Sequence, residues 1–251
     1  MVLKLIACEV FYREVCLCVA RSPYRVDIDF TEKNAHERSD FLRSLVQSRI
    51  DAAEAGSVAY DAILLGFGLC GNGVLGVGAK NTRLVMPRAH DCCTIFLGSR
   101  TAFKEHFADN PSLPFSSVGY MERGGAWIHD ASTIKVPGMD KKLEEYAALY
   151  GEENAKYIME TMTASVETAI TDTRDNRIVF VDVPELSHLG FAEKARAEAE
   201  AGGHQFVRLP GDMRLIRRLV DGDWDDEEFL VLEPGQKIGG VYDWDRIVKA
   251  E

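Results

Sequence analysis

A chain of 251 residues, 46% hydrophobic and 27% charged, has the makeup of a soluble globular protein with one sizeable core. Its net charge of -11, with no lysine- or arginine-rich stripe, argues against nucleic acid as a partner. No apolar run is long enough to span a bilayer, and Glu9, Arg13 and Glu14 interrupt the N-terminal segment before any signal-type region develops, so a cytoplasmic protein is expected.

In chain order, residues 4–9 read as a short buried strand, and 11–23 lean toward helix. Residues 24–32 alternate Val26, Ile28 and Phe30 with Arg25, Asp27 and Asp29, the period of a half-buried strand. Over 35–55, Phe41, Leu42, Leu45, Val46 and Ile50 share one helical face, and Gly56 closes the helix. Strands are predicted over 60–68 and 82–88, the second stopped by Pro87, and a single helix over 94–107. The glycine- and proline-dotted stretch 109–140 reads as a lid or small insertion, and 141–166 as one long helix with a break near Gly151. Strand, helix, strand, helix and strand then follow to residue 235.

Buried strands alternating with amphipathic helices predict an α/β fold. The expected architecture is one domain over 1–251 with a mostly parallel sheet and helices on both faces, Rossmann-like and doubly wound. In such sheets ligands sit beyond the carboxyl ends of the strands. That rule picks out three of the six cysteines: Cys8 ends the first strand, Cys70 follows the strand at 60–68, and Cys92 follows the strand at 82–88. Cys16 and Cys18 lack this placement. In a chain of this size without an export signal, reduced thiols are expected rather than disulfides.

Gly66, Gly68 and Gly71 spell G-x-G-x-x-G after a strand. The dinucleotide fingerprint needs a helix to open next, and Gly73, Gly76 and Gly78 oppose one; no acidic-ended second strand follows at the required distance. A loop so poor in side chains, with Gly68, Gly71, Asn72 and Gly73 at its heart, instead lets backbone approach a bulky inorganic centre or ligand. Three thiolates suit a [4Fe-4S] cluster with one open iron, or a zinc ion with His90 as fourth ligand. No C-x-x-C spacing supports either, and from spacing alone small buried core cysteines are an equal reading. Arg88, His90 and Asp91 suggest an anion binder and proton-handling groups, although Asp91 also reads as a helix cap. Glu9, beside Cys8, lies within reach of the expected crevice. His188 and Glu185 follow another strand and His129 falls in the 109–140 stretch, while His36, as a cap, and His106 and His204, as surface residues, read as structural.

The stretches "ACEVFYREV", "LLGFGLCGNGVLGV", "LVMPRAHDCCTIFLGS" and "DGDWDDEEFLVLEPGQKI" resemble the family catalogued as domain of unknown function 1638. The resemblance covers most of the chain. It implies that Cys8, Cys70, Cys92 and His90 match the family's characteristic cysteines and histidine, with Cys93 standing where a branched apolar residue is usual. It brings no reaction with it. By analogy alone, the layout is similar to small α/β enzymes, such as a thiouracil desulfidase and quinolinate synthase, that hold a four-iron cluster on three cysteines.

The expectation is therefore a cytoplasmic metal-dependent enzyme. Cys8, Cys70 and Cys92 would hold a [4Fe-4S] cluster acting on a small-molecule substrate, with Arg88, His90, Asp91 and Glu9 beside it. One alternative keeps the thiols for zinc and methyl transfer with a thiol or a corrinoid-pathway partner. Another is a non-catalytic ligand-binding or accessory protein. The oligomeric state, a homo-oligomer included, is left open.

Overall fold

The computed structural model describes residues 1–33, 35, 38–111, 113–124, 152, 176–241 and 243–251. Its principal sheet has the order β2-β1-β3-β4-β8. The strands are β1 (Val2–Cys8), β2 (Arg25–Thr31), β3 (Ala62–Gly66), β4 (Arg83–Pro87) and β8 (Phe229–Leu232). The first four run parallel, and β8 pairs antiparallel to β4. The α/β class and the mostly parallel sheet are as expected. β3 is buried along its whole length and β1 over most of its own, as strands covered on both faces must be.

Two helices make the first crossovers, α1 (Tyr12–Val19) from β1 to β2 and α2 (Ser39–Ala55) from β2 back to β3. Because these crossovers run in opposite directions across the sheet, right-handedness puts the two helices on opposite faces. The chain reverses its direction of winding between β1 and β3, and such a switch point opens a crevice at the carboxyl ends of the strands.

A second, three-stranded parallel sheet was not foreseen. Its order is β5-β6-β7, from β5 (Phe115–Ser117), β6 (Arg177–Asp182) and β7 (Gln205–Pro210). Local pattern reports that a strand exists but not which sheet it joins. The helix predicted over 94–107 is two helices, α3 (Cys92–Phe96) and α4 (Arg100–Phe107). Gly98 takes a φ of +75° between them, and Ser99 caps α4 by accepting from the N–H of Ala102. The stretch from 109 is also more regular than expected: β5 leads straight into α5 (Val118–Glu122). The remainder of the expected lid and the helix predicted at 141–166 lie outside the described residues, apart from residue 152. Helices α6 (Phe191–Ala201) and α7 (Arg214–Val220) fall where predicted, and a small hairpin of β9 (Ile238–Gly240) and β10 (Val248–Ala250) closes the chain.

Glu14 on α1 is 1% exposed, and neither carboxylate oxygen has a partner among the described residues. Burial raises its pKa to about 7. The folded state thus holds a proton that the unfolded chain releases near the ordinary carboxyl value, so this contribution is complete at low pH and is lost as pH rises through about 7. Glu14→Gln is expected to flatten that decline and to stabilise the protein by roughly 2–3 kcal/mol at pH 8. Urea midpoints of both chains from pH 4 to 8 check this; parallel curves would contradict it.

Candidate functional site

The carboxyl ends of β1, β3 and β4 meet at a cavity of about 310 Å³, and Cys8, Cys70 and Cys92 all line it. Cys8 is the last residue of β1, and Cys92 opens α3 just beyond β4. Cys70 sits in the loop after β3, which hydrogen bonds hold against the loop after β4: Leu69 N–H donates to Ala89 O (2.8 Å) and Cys70 N–H to His90 O (3.1 Å). The approach is close enough to demand glycine at 68, since a Cβ there would lie 2.6 Å from the Cα of Asp91.

No helix follows these glycines. Cys70, Gly71 and Asn72 instead take φ values of +46°, +61° and +69°, three successive left-handed residues. For the two with side chains this costs about 1 kcal/mol or more each. Helix α2 holds the turn in place: Ser39 Oγ donates to Gly71 O (2.8 Å), Arg43 Nη2 to Asn72 O (3.0 Å) and Arg43 Nε to Leu75 O (2.7 Å). Gly73 lies so near that a Cβ would meet Leu42 Cδ2 at 2.6 Å. The dinucleotide geometry is absent, and the turn presents a thiol to the cavity.

Burial raises all three thiols, Cys8 to about 11, Cys70 to about 12 and Cys92 well above the ordinary thiol value. Backbone N–H groups oppose the rise, that of Val10 acting on Cys8 and those of Gly68 and Cys92 on Cys70. The Cys92 sulfur lies 2.8 Å from the Tyr120 hydroxyl. The charge of Cys8 adds to the rise at Cys70, and those of Cys70 and Cys8 to the rise at Cys92.

Among the polar groups, Asp91 both lines the cavity and caps α3, its Oδ1 accepting from Thr94 N–H (3.1 Å). Burial raises its pKa to about 6. His90 lines the cavity too, its ring 5.0 Å from Trp244 and 5.7 Å from Phe103, centroid to centroid. Its Nε2 is buried with no partner among the described residues, and burial lowers its pKa.

Two expected site residues are committed elsewhere. Arg88, 4% exposed, donates to the carbonyls of Asp226 (2.9 Å), Arg246 (3.1 Å) and Val248 and to Asp226 Oδ1 (2.9 Å). It ties the C-terminal segment to β4 and does not line the cavity, because carbonyls rather than a ligand absorb its donors. Glu9 accepts from Lys33 N–H (2.8 Å) and Arg123 Nε (3.1 Å), and so fixes the chain after β2 instead of facing the cavity. Glu185 and His188 are exposed beyond β6, in the second sheet, and His106 and His204 are surface residues as expected. His36 and His129 lie outside the described residues.

Sequence reasoning missed Thr31, Lys33 and Tyr120, all of which line the cavity. Thr31 was within reach of the strand-end rule, since it ends β2 directly beside Cys8 in the register. Tyr120 carried no signal, lying in a stretch without periodicity.

Fold and site together define an α/β protein whose switch-point crevice is lined by three cysteine thiols, Cys8 buried and Cys70 and Cys92 half-buried. The chain belongs to the family described as "Protein of unknown function (DUF1638)", whose model matches residues 30–220. That span contains Cys70, His90 and Cys92, while Cys8 precedes it. No curated protein and no solved structure matches the chain.

Proposed function

We propose that this chain is a cytoplasmic enzyme that holds a [4Fe-4S] cluster on Cys8, Cys70 and Cys92 and acts on a small substrate beside it. The observation that carries the reading is the meeting of three thiols, remote in sequence, around one cavity at the switch point.

The donor set fits such a group. Buried thiols that are costly to ionise alone become thiolates once metal charge stands among them. The backbone N–H groups at Cys8 and Cys70 and the Tyr120 hydroxyl at Cys92 then stabilise sulfur charge. Among the described residues no three His, Cys, Asp or Glu side chains are drawn together as a single ion requires. Three thiols around one cavity suit a cluster, where each ligates its own iron. When bound, the cluster supplies a Lewis-acidic iron with an open position. The chain contributes walls of Phe11, Leu42, Phe67 and Phe115 that exclude water. Burial lowers the pKa of His90, whose ring is set by Trp244 and Phe103 and which can take up or give a proton at Nε2.

One observation favours the zinc reading, the unpartnered Nε2 of His90 on the same cavity. Zinc on the three thiolates and His90 would suit methyl transfer to or from a thiol or corrinoid.

Anaerobic purification followed by iron, sulfide and zinc analysis tests these readings. About four irons and four sulfides per chain are expected, with a brown absorption band. Cys8→Ala, Cys70→Ala and Cys92→Ala should each lose most of the iron, whereas Cys16→Ala should keep it. One zinc and no colour would support the second reading. A metal-free chain that binds a ligand would make this a binding protein.

A further inference from the structure

Thr31, Lys33 and His90 line the three-thiol cavity with hydrogen-bonding capacity left unused among the described residues. Thr31 is 2% exposed, and its Oγ1 is buried with no partner among the described residues. His90 Nε2 is in the same state. These are two of seven buried side-chain atoms without a partner among the described residues, and both belong to residues that line this one cavity. Lys33 Nζ donates to the carbonyl of Arg123 (3.1 Å), and no carboxylate pairs with it among the described residues. Lys33 thus brings an ammonium without an ion-pair partner among the described residues to a cavity that Thr31 and His90 also line.

We propose that this cavity is a binding site for a small organic carboxylate, whose charge Lys33 meets and whose oxygens Thr31 and His90 hydrogen-bond. The cavity of about 310 Å³ lies at the bottom of the range for small-molecule pockets, about 300–1,000 Å³, and a group held on the thiols would take part of it, so the acid must be small. The charge balance favours a carboxylate over a phosphate. Phosphate sites gather several cations or a fan of backbone N–H groups. Here Lys33 is the one cation lining the cavity among the described residues, Glu32 and Asp91 line it too, and Arg88 and Arg123 are bound to Asp226 and Glu9. The proposal rests on reading the cavity as a substrate site, but not on which metal occupies the thiols.

Calorimetric titration of the anaerobically isolated protein with acetate, malonate, succinate and inorganic phosphate tests it. At least one carboxylate should bind saturably, with phosphate at least about tenfold weaker. Lys33→Met and Thr31→Val should each weaken that carboxylate about tenfold, and Thr31→Ser should restore it. Thr31→Val should melt no lower than wild type, because the hydroxyl it removes has no partner in the free protein, so lost binding would not reflect misfolding. Absence of carboxylate binding, phosphate binding as tightly, or unchanged affinity in both variants would overturn the proposal. Iron content measured on the same samples separates the two readings. Iron-free protein with Lys33-dependent carboxylate binding removes the cluster and keeps this site, and iron-loaded protein that binds no carboxylate does the reverse.

Discussion

A Gly119→Ala chain is expected to lose about 3 kcal/mol or more of stability and to open the thiol cavity. A Cβ at this position would stand 1.7 Å from the carbonyl oxygen of Val10, and that neighbour is backbone in the turn immediately after Cys8. No rotamer change relieves such a contact, so α5 must move bodily. It carries Tyr120, 2% exposed, whose hydroxyl reaches the Cys92 sulfur, and Glu122, which pairs with Arg13 at 2.6 Å. Lifting α5 therefore uncovers Cys92 while straining an ion pair at the other end of the helix. Urea denaturation should show the loss, and Cys92 in the folded variant should react with a thiol reagent faster than in wild type. Wild-type stability together with an unreactive Cys92 would mean that α5 does not seal the site.

The second large effect is at Arg88. Its replacement by methionine removes hydrogen bonds to three carbonyls and to the Asp226 carboxylate, at a position only 4% exposed. Asp226 is itself largely exposed, so the charge pair contributes little, and most of the cost comes from buried carbonyls left without a donor. A loss of roughly 3 kcal/mol is expected, with early proteolysis of the segment that ends in β10. Arg246→Met, which breaks an exposed pair to the same aspartate, should cost under about 1 kcal/mol. Equal stability of the two variants would contradict the anchoring role of Arg88.

Arg88 also shows where sequence reasoning runs out. An arginine just beyond a strand looks the same whether a ligand or a distant carbonyl takes its donors, and here the partners lie more than a hundred residues away. The thiols were more legible, because strand-end placement is a local property and the parallel sheet turns it into spatial proximity. Cys8 and Cys70 are separated by 62 positions in the sequence, yet β1 and β3 are hydrogen-bonded neighbours. The glycine loop was half legible: its unfitness for a helix followed from composition, but its left-handed turn depends on Ser39 and Arg43 of α2. Gly98 was legible inside the helix predicted at 94–107, but its φ of +75°, which ends α3 before Ser99 opens α4, was not. The second sheet left no local trace, since a strand's pattern reports burial and not its partner.

The central claim is that Cys8, Cys70 and Cys92 hold one four-iron cluster with an open iron. A Mössbauer spectrum of anaerobically purified, iron-57-enriched protein tests it most directly. The expected signal is that of a [4Fe-4S] cluster in which one iron of about four separates from the rest when a small ligand is added. A spectrum without cluster iron, or one showing only a single thiolate-bound iron, would contradict it.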